Sequence, residues 1–400
     1  MLLSNLNEID GLHLLRPNII PYFPLDFSCQ LSFSRHLSTS FCKHLHIHQI
    51  SIKWKKERKK KKNVSMQNKT KPLNTSLLSL IQFIGAILVI ALHCRRLFEA
   101  DQLHFIQKSI FSRMVVPYFM VTASFFLRRN YPSLSKQYLI RYSKQYLTWS
   151  TLYLPFYLFY LNLQEIPLPY YPLALLVGLT YTGTSYQLWY MPAFLLGLVL
   201  VHFSLDKWGW RITACLACLL YLLGSVETYS SYLAESIFLT AFDSYKTFFF
   251  TSRNGLFYAP IFVLTGFYLA DKLNQPIFQH RQKTKLLVCI ALLAFEATII
   301  YLNQGYDKNF LFSLIPFTAY LVAWTLTTDL FRKKKFQFLK EYASYYYFIH
   351  VIPVEISFFF LETSSLTKIQ QGWLVFFITI ITCQLLSWLI INTQRKSKTD

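Results

Sequence analysis

Leu77 to His93 reads LLSLIQFIGAILVIALH, an apolar run without one Asp, Glu, Lys or Arg. A helix of about 20 such residues crosses the hydrocarbon core of a bilayer, so the stretch predicts a transmembrane helix. Nine runs of the same kind follow. The ten approximate spans are 77–93, 111–127, 145–162, 188–205, 211–225, 254–271, 285–302, 310–328, 343–361 and 372–392. A shorter apolar stretch, Pro169 to Tyr181, is flanked by prolines and predicts a re-entrant or surface hairpin, with an eleventh span as its alternative.

Composition agrees with that reading. Hydrophobic residues make up 54% and charged residues only 15% of the 400. A soluble chain carries about 25% charged residues, so a water-facing shell would be hard to build. Seven cysteines form no disulfide framework at this length. The fold class expected is all-α: a polytopic integral membrane protein of about ten helices.

The formal charge is +21, and its distribution gives orientation. If the residue before the first span is cytoplasmic, 19 Lys and Arg fall in inner loops and tail and 8 in outer ones. The positive-inside rule then places both termini in the cytoplasm of a multi-pass cell-membrane protein. The net charge is topological, and no nucleic-acid partner is expected.

Residues 1–70 read as a separate basic extension, apposed to anionic lipid through the run Lys53–Lys62. Its Cys42, His44, His46 and His48 alternate as metal ligands on a strand would, but the preferred reading assigns no metal. Met66, 11 residues before the first span, is a candidate native start, in which case residues 1–65 are not translated. The membrane domain is taken as 71–400.

Ionisable groups inside lipid are costly and point to function. His93 closes the first span, and Gln82 lies eleven positions earlier, close to three turns and about 16 Å along one face. Arg141 and Lys144 share a face at the cytoplasmic end of the third span, where they could hold phosphates or only anchor the helix to headgroups. Trp189 and Tyr190 open the fourth span, and Arg253 and Asn254 the sixth, on the outer side where the sign rule disfavours a cation. Glu296 lies in the outer half of the seventh. His350 is in the ninth, one turn after Tyr346 and Tyr347. Cys215 and Cys218 form a CxxC that reads as small helix-packing residues. No Gly-rich phosphate loop, Ser nucleophile elbow or HExxH occurs.

Six blocks in order carry a resemblance: ILVIALHC, RYSKQYLTWSTLYLP, QLWYMPAFLLG, RNGLFYAPIFVLTGFYLA, the Glu of the seventh span, and YASYYYFIH. From Leu77 to Asn392 the chain resembles the acyltransferase 3 family of bacterial membrane proteins, especially the Gram-positive branch containing the membrane domain of membrane-bound serine racemases. The resemblance implies ten helices and transfer of an acyl group, commonly acetyl. Cytosolic acyl-CoA is the donor and co-substrate, with no permanently bound cofactor. The acceptor is a hydroxyl of an extracytoplasmic cell-envelope glycan or lipid-linked sugar. The family's first-helix motif is a basic residue, ten residues, then His; here His93 matches and Gln82 replaces the basic residue. Gln187 likewise replaces the His that often precedes Leu-Trp-Tyr in the branch.

The expected mechanism follows. Arg141 and Lys144 hold the CoA phosphates, with Gln82 and His350 along the donor path. His93 removes the acceptor's proton. Arg253, Asn254, Trp189 and Tyr190 bind the acceptor or the oxyanion. Glu296 orients the imidazole or Arg253. The rival reading is a transporter of a small amino acid such as serine. With the chain ending at Asp400, just after the tenth span, no racemase domain is expected. Acceptor identity and oligomeric state are left open.

Overall fold

The computed structural model describes residues 72–130, 136–234 and 236–396. The His44–His48 cluster, the Lys53–Lys62 run and Met66 lie outside the described residues. Among the described residues there is no strand. The α-helices in order are α1 (Thr75–His93), α2 (Asp101–Phe105), α3 (Val115–Asn130), α4 (Lys136–Leu163), α5 (Tyr171–Val177), α6 (Tyr190–Tyr229) and α7 (Ile237–Phe249). They continue as α8 (Ala259–Lys272), α9 (Pro276–Gln279), α10 (Gln282–Leu302), α11 (Leu314–Thr327), α12 (Leu339–Ile349), α13 (Val351–Leu361) and α14 (Lys368–Lys396).

Each of the ten apolar stretches falls on helix, but they are not equal. Five helical segments are long and apolar enough to cross a bilayer by length and composition, or six if the bent pair α12 and α13 is one span. The others differ for physical reasons. Helices α8 and α11 have 14 residues each, short of a full hydrocarbon thickness. Helix α4 is long, but Arg141, Lys144 and several tyrosines dilute its apolar character.

Two expected spans, 188–205 and 211–225, lie on α6. Gly209 interrupts it with φ 72°, a conformation open to glycine. The Thr213 hydroxyl donates to Ser204 Oγ at 3.0 Å, whereas nine residues of straight helix would separate the two by about 13 Å. The chain therefore doubles back at Gly209, and α6 is a helical hairpin. The stretch 169–181, expected to be a hairpin, is helical instead. A 3-10 turn at Leu168–Tyr170 leads into α5 and then a π-helical turn at Gly178–Thr182. It returns along α4, whose Tyr157 and Tyr146 hydroxyls donate to the carbonyls of Ala174 (2.7 Å) and Leu179 (2.9 Å).

Large apolar side chains face outward all round the bundle, Phe295 at 67% and Phe360 at 72% exposed among them. In water they would be a liability; in lipid that surface is the solvated one. Inside, α1, α12 and α14 close on a core of Ala86, Ile90, Cys94, Tyr346, Val375 and Cys383. One end of the bundle is basic. There Arg128 pairs with Asp271 at 3.1 Å, Arg395 with Glu341 at 3.5 Å, and the Ser76 hydroxyl donates to the Lys334 carbonyl. His93 stands at the opposite end of α1.

Candidate active site

His93 is the last residue of α1, where the chain turns extended at Cys94. Two rings close on its imidazole: Tyr186 with centroids 4.6 Å apart, and His350 at 5.3 Å and nearly parallel. His350 occupies the break between α12 and α13, where the pair bends by 45°. It is fully buried. Its Nδ1 lies 3.0 and 2.9 Å from the carbonyl oxygens of Tyr346 and Tyr347. Both are acceptors, so Nδ1 must carry the proton, and Nε2 keeps its lone pair. That Nε2 is buried without a hydrogen-bond partner among the described residues. The tyrosines thus serve His350 through their main chain. Their hydroxyls turn away, Tyr346 to Gln384 Oε1 (2.9 Å) and Tyr347 to the Gln187 carbonyl.

The turn at 183–189 supplies the next shell. Gly183 has φ 81°, and a Cβ there would lie 2.6 Å from the Trp189 nitrogen, so only glycine closes this turn without strain. Tyr186, delivered against His93, donates its hydroxyl to Glu355 Oε1 on α13 at 3.1 Å. Gln187 is buried, accepts from Ser185 at 2.5 Å, and its Nε2 has no partner among the described residues.

Positive charge gathers on the same histidine. The charges of Arg253, Lys108 and Arg113 all act on the His93 ring. Lys108 lies in a π-helical turn, Ile106–Phe111, and Arg113 follows it. In a strict α-helix residues five apart point about 140° away from each other; i→i+5 bonding brings them nearer to one side. The Arg253 guanidinium lies 4.7 Å over the Trp189 ring. Two acids stand behind it. Glu227 Oε2 accepts from Thr251 Oγ1 (2.9 Å), Ser252 N (2.8 Å) and Ser252 Oγ (2.6 Å). Asp307 accepts from Thr228 Oγ1 (2.7 Å), Asn309 N (3.0 Å) and Asn309 Nδ2 (2.5 Å).

The structure thus brings His93, His350, Arg253 and Trp189 together. It separates others. Glu296 does not orient His93 or Arg253. Its carboxylate accepts from the backbone N–H of Phe312 (2.7 Å) and Ser313 (2.8 Å) and from the hydroxyls of Ser313 and Tyr229. It caps the start of α11, where free N–H groups attract an anion. Asn254 is also used by the fold. Its Oδ1 accepts from Leu256 N and Phe257 N, and its Nδ2 donates to the hydroxyls of Tyr181 (2.9 Å) and Tyr245 (3.2 Å). Tyr190 stacks on Phe194 and meets Tyr347 edge-on, away from the Arg253 stack.

Arg141 and Lys144 are exposed on α4 toward the basic end. Beside them a groove of ≈ 530 Å³ runs between α4, α12 and α14, lined by Gln145, Thr148, Trp149, Glu341, Ser344 and Tyr345 among others. Its Trp149 stacks flat on Phe348 at 4.8 Å, two residues before His350. Gln82 is half-buried on α1, and its Oε1 has no partner among the described residues. Among the described residues no group of three or more His, Cys, Asp or Glu is placed to hold a metal. Sequence reasoning missed Tyr186, Lys108, Arg113, Glu227, Asp307 and Glu355. An acid inside an apolar run marks Glu355 and Glu227, as it does Glu296; nothing local marks the other four.

A family model described as an acyltransferase domain matches residues 77–392. Two proteins of Enterococcus faecalis, each named amino-acid racemase, are similar. One is 29% identical over 251 residues, covering 60% of this chain and 34% of the relative. The other is 26% identical over 298 residues, covering 71% and 41%. A serine/alanine racemase of Enterococcus gallinarum is 26% identical over 252 residues, covering 57% and 34%. The chain therefore spans well under half the length of these relatives. No solved structure matches.

Proposed function

The chain belongs to the acyltransferase-domain family matched over residues 77–392, and on that footing we propose that it is a membrane O-acyltransferase taking acetyl from cytosolic acetyl-CoA. The acceptor is a hydroxyl of an extracytoplasmic glycan or lipid-linked sugar. The observation that carries this reading is the convergence of His93 with His350, Tyr186 and the cations Arg253, Arg113 and Lys108. The donor enters at the basic end, where Arg141 and Lys144 take its phosphates, and its acyl arm follows the groove past Trp149 toward His350.

His93 accepts the proton of the acceptor hydroxyl as the oxygen attacks the thioester carbonyl. The carbonyl oxygen gains negative charge facing Arg253. The C–S bond then breaks, the acetyl stays on the acceptor oxygen, and the departing sulfur recovers the proton from His93. His350 packs against the His93 ring, and the Tyr186 ring covers the other contact.

The test uses purified protein in liposomes with acetyl-labelled acetyl-CoA, following free thiol and label. Turnover should occur in the wild type and vanish in a folded His93→Ala variant. Turnover near wild type in that variant defeats the assignment. The second reading is a transporter of serine, an amino acid that one relative's name carries. It requires labelled serine uptake and no binding of acetyl-CoA at millimolar concentration.

A further inference from the structure

Among the described residues no hydrogen bond fixes the His93 imidazole, so the rings packed on it decide how it stands. Those rings are Tyr186, with centroids 4.6 Å apart, and His350, at 5.3 Å. His350 is held by the carbonyls of Tyr346 and Tyr347 on α12. Tyr186 stands on the 183–189 turn, and its hydroxyl donates to Glu355 Oε1 at 3.1 Å. That is the one hydrogen bond its side chain makes among the described residues. Glu355 differs from the other acids near the site. Glu227, Glu296 and Asp307 each accept from main-chain N–H groups and so build the fold. Glu355 accepts from no main-chain group and forms no ion pair with a described residue. It is an exposed acid on α13, beside the exposed Ile356, Phe359 and Phe360. A carboxylate kept on so apolar a helix is costly and points to a use.

From these contacts we infer that Glu355 is a positioning residue for His93, acting through Tyr186. The inference rests on the acyl-transfer reading, in which His93 is the base. Glu355 Oε1 anchors the tip of the phenol, and the tethered ring keeps the imidazole in its place beside His350. The bond ties the 183–189 turn to α13, two segments that are 169 residues apart in the chain. Each ring against His93 is thus locked by something other than His93, one by α12 carbonyls and the other by an acid of α13. Such locking matters because a reacting group displaced by about 1 Å loses roughly a hundredfold in rate.

Four variants of the full chain test this in liposomes. Tyr186→Phe keeps the ring and removes the hydroxyl, and Glu355→Ala removes the acceptor. Glu355→Gln keeps an acceptor oxygen, and the fourth variant combines Tyr186→Phe with Glu355→Ala. Acetyl-CoA turnover is followed, and in parallel the rate at which diethyl pyrocarbonate modifies His93 is read by peptide mass spectrometry. Each of Tyr186→Phe and Glu355→Ala should lower kcat by about tenfold, with the KM for acetyl-CoA and the thermal midpoint near wild type. The double variant should be no slower than either single one, because both remove the same bond. Glu355→Gln should recover most of kcat. His93 should react several times faster with the reagent in the two single variants and at the wild-type rate in Glu355→Gln.

Losses that add in the double variant overturn the inference. So does a Glu355→Gln variant as slow as Glu355→Ala, since the charge would then act without Tyr186. Losses that track a lowered thermal midpoint make the pair a structural tie and overturn it too. Turnover unchanged in Tyr186→Phe and Glu355→Ala removes the positioning role and leaves the acyl-transfer reading standing. Where no sample turns over acetyl-CoA, the reagent decides. Faster modification of His93 in the two single variants, absent in Glu355→Gln, keeps the tether and removes the acyl-transfer reading beneath it. Equal modification in all samples removes both.

Discussion

His350 shows how a single side chain can be prepared for chemistry by its main chain. Two carbonyls claim Nδ1, so the ring is held as one tautomer with its Nε2 lone pair beside His93. If that lone pair serves the proton's path, His350→Gln should lower kcat by about a hundredfold. The KM for acetyl-CoA should move far less. A rise in KM at constant kcat would return His350 to the donor path where sequence reasoning placed it. His93 and His350 were legible in advance as ionisable groups in apolar runs, and Arg253 as a cation where the sign rule disfavours one. The same rule also selected Glu296, because it registers the cost of burying a charge and cannot tell a catalytic partner from a cap. Lys108 and Arg113 were unreadable, since a π-helical turn changes which residues share a side.

Two small devices join elements of the bundle, a capping acid away from His93 and a glycine turn beside it. Glu296 on α10 ties Phe312 and Ser313 at the head of α11. Glu296→Ala should therefore destabilise the bundle by about 1–2 kcal/mol, as the loss of a helix cap does. Thermal unfolding in detergent would lower its midpoint, while acetyl-CoA turnover per folded molecule stays near wild type. Loss of turnover in stable protein would reinstate Glu296 in the active site. Gly183 is the second device: any side chain there meets the Trp189 backbone within a turn that presents Tyr186 and Trp189. Apolar length alone located the helices on both sides of these devices. It misread 169–181, whose two prolines at Pro169 and Pro172 look like a hairpin's. Proline is tolerated in the first turn of a helix, and that is where Pro172 sits.

Across the whole molecule the two ends of the bundle use positive charge differently. At the basic end Arg128, Arg395 and the lysines at 333–335 sit at the surface or pair with single acids, the pattern of headgroup anchors. At the other end cations are fewer and committed. Arg96 pairs with Asp101, Lys246 lies on Tyr306 at 3.8 Å, and Lys108, Arg113 and Arg253 converge on His93. The positive-inside rule would place this end outside, where retained cations call for a reason. Sidedness can be measured directly. Cysteines placed at the exposed Lys333 and Gln304, in a background without native cysteines, should respond oppositely to an impermeant maleimide on intact cells. Gln304→Cys should label from outside, and Lys333→Cys only after permeabilisation. The reverse pattern would put His93 and its cations in the cytoplasm and Arg141 and Lys144 outside, where no acyl-CoA reaches them. That result would remove both the donor route and the extracytoplasmic acceptor together, whereas the expected one leaves His93 open to a substrate that arrives from outside the cell.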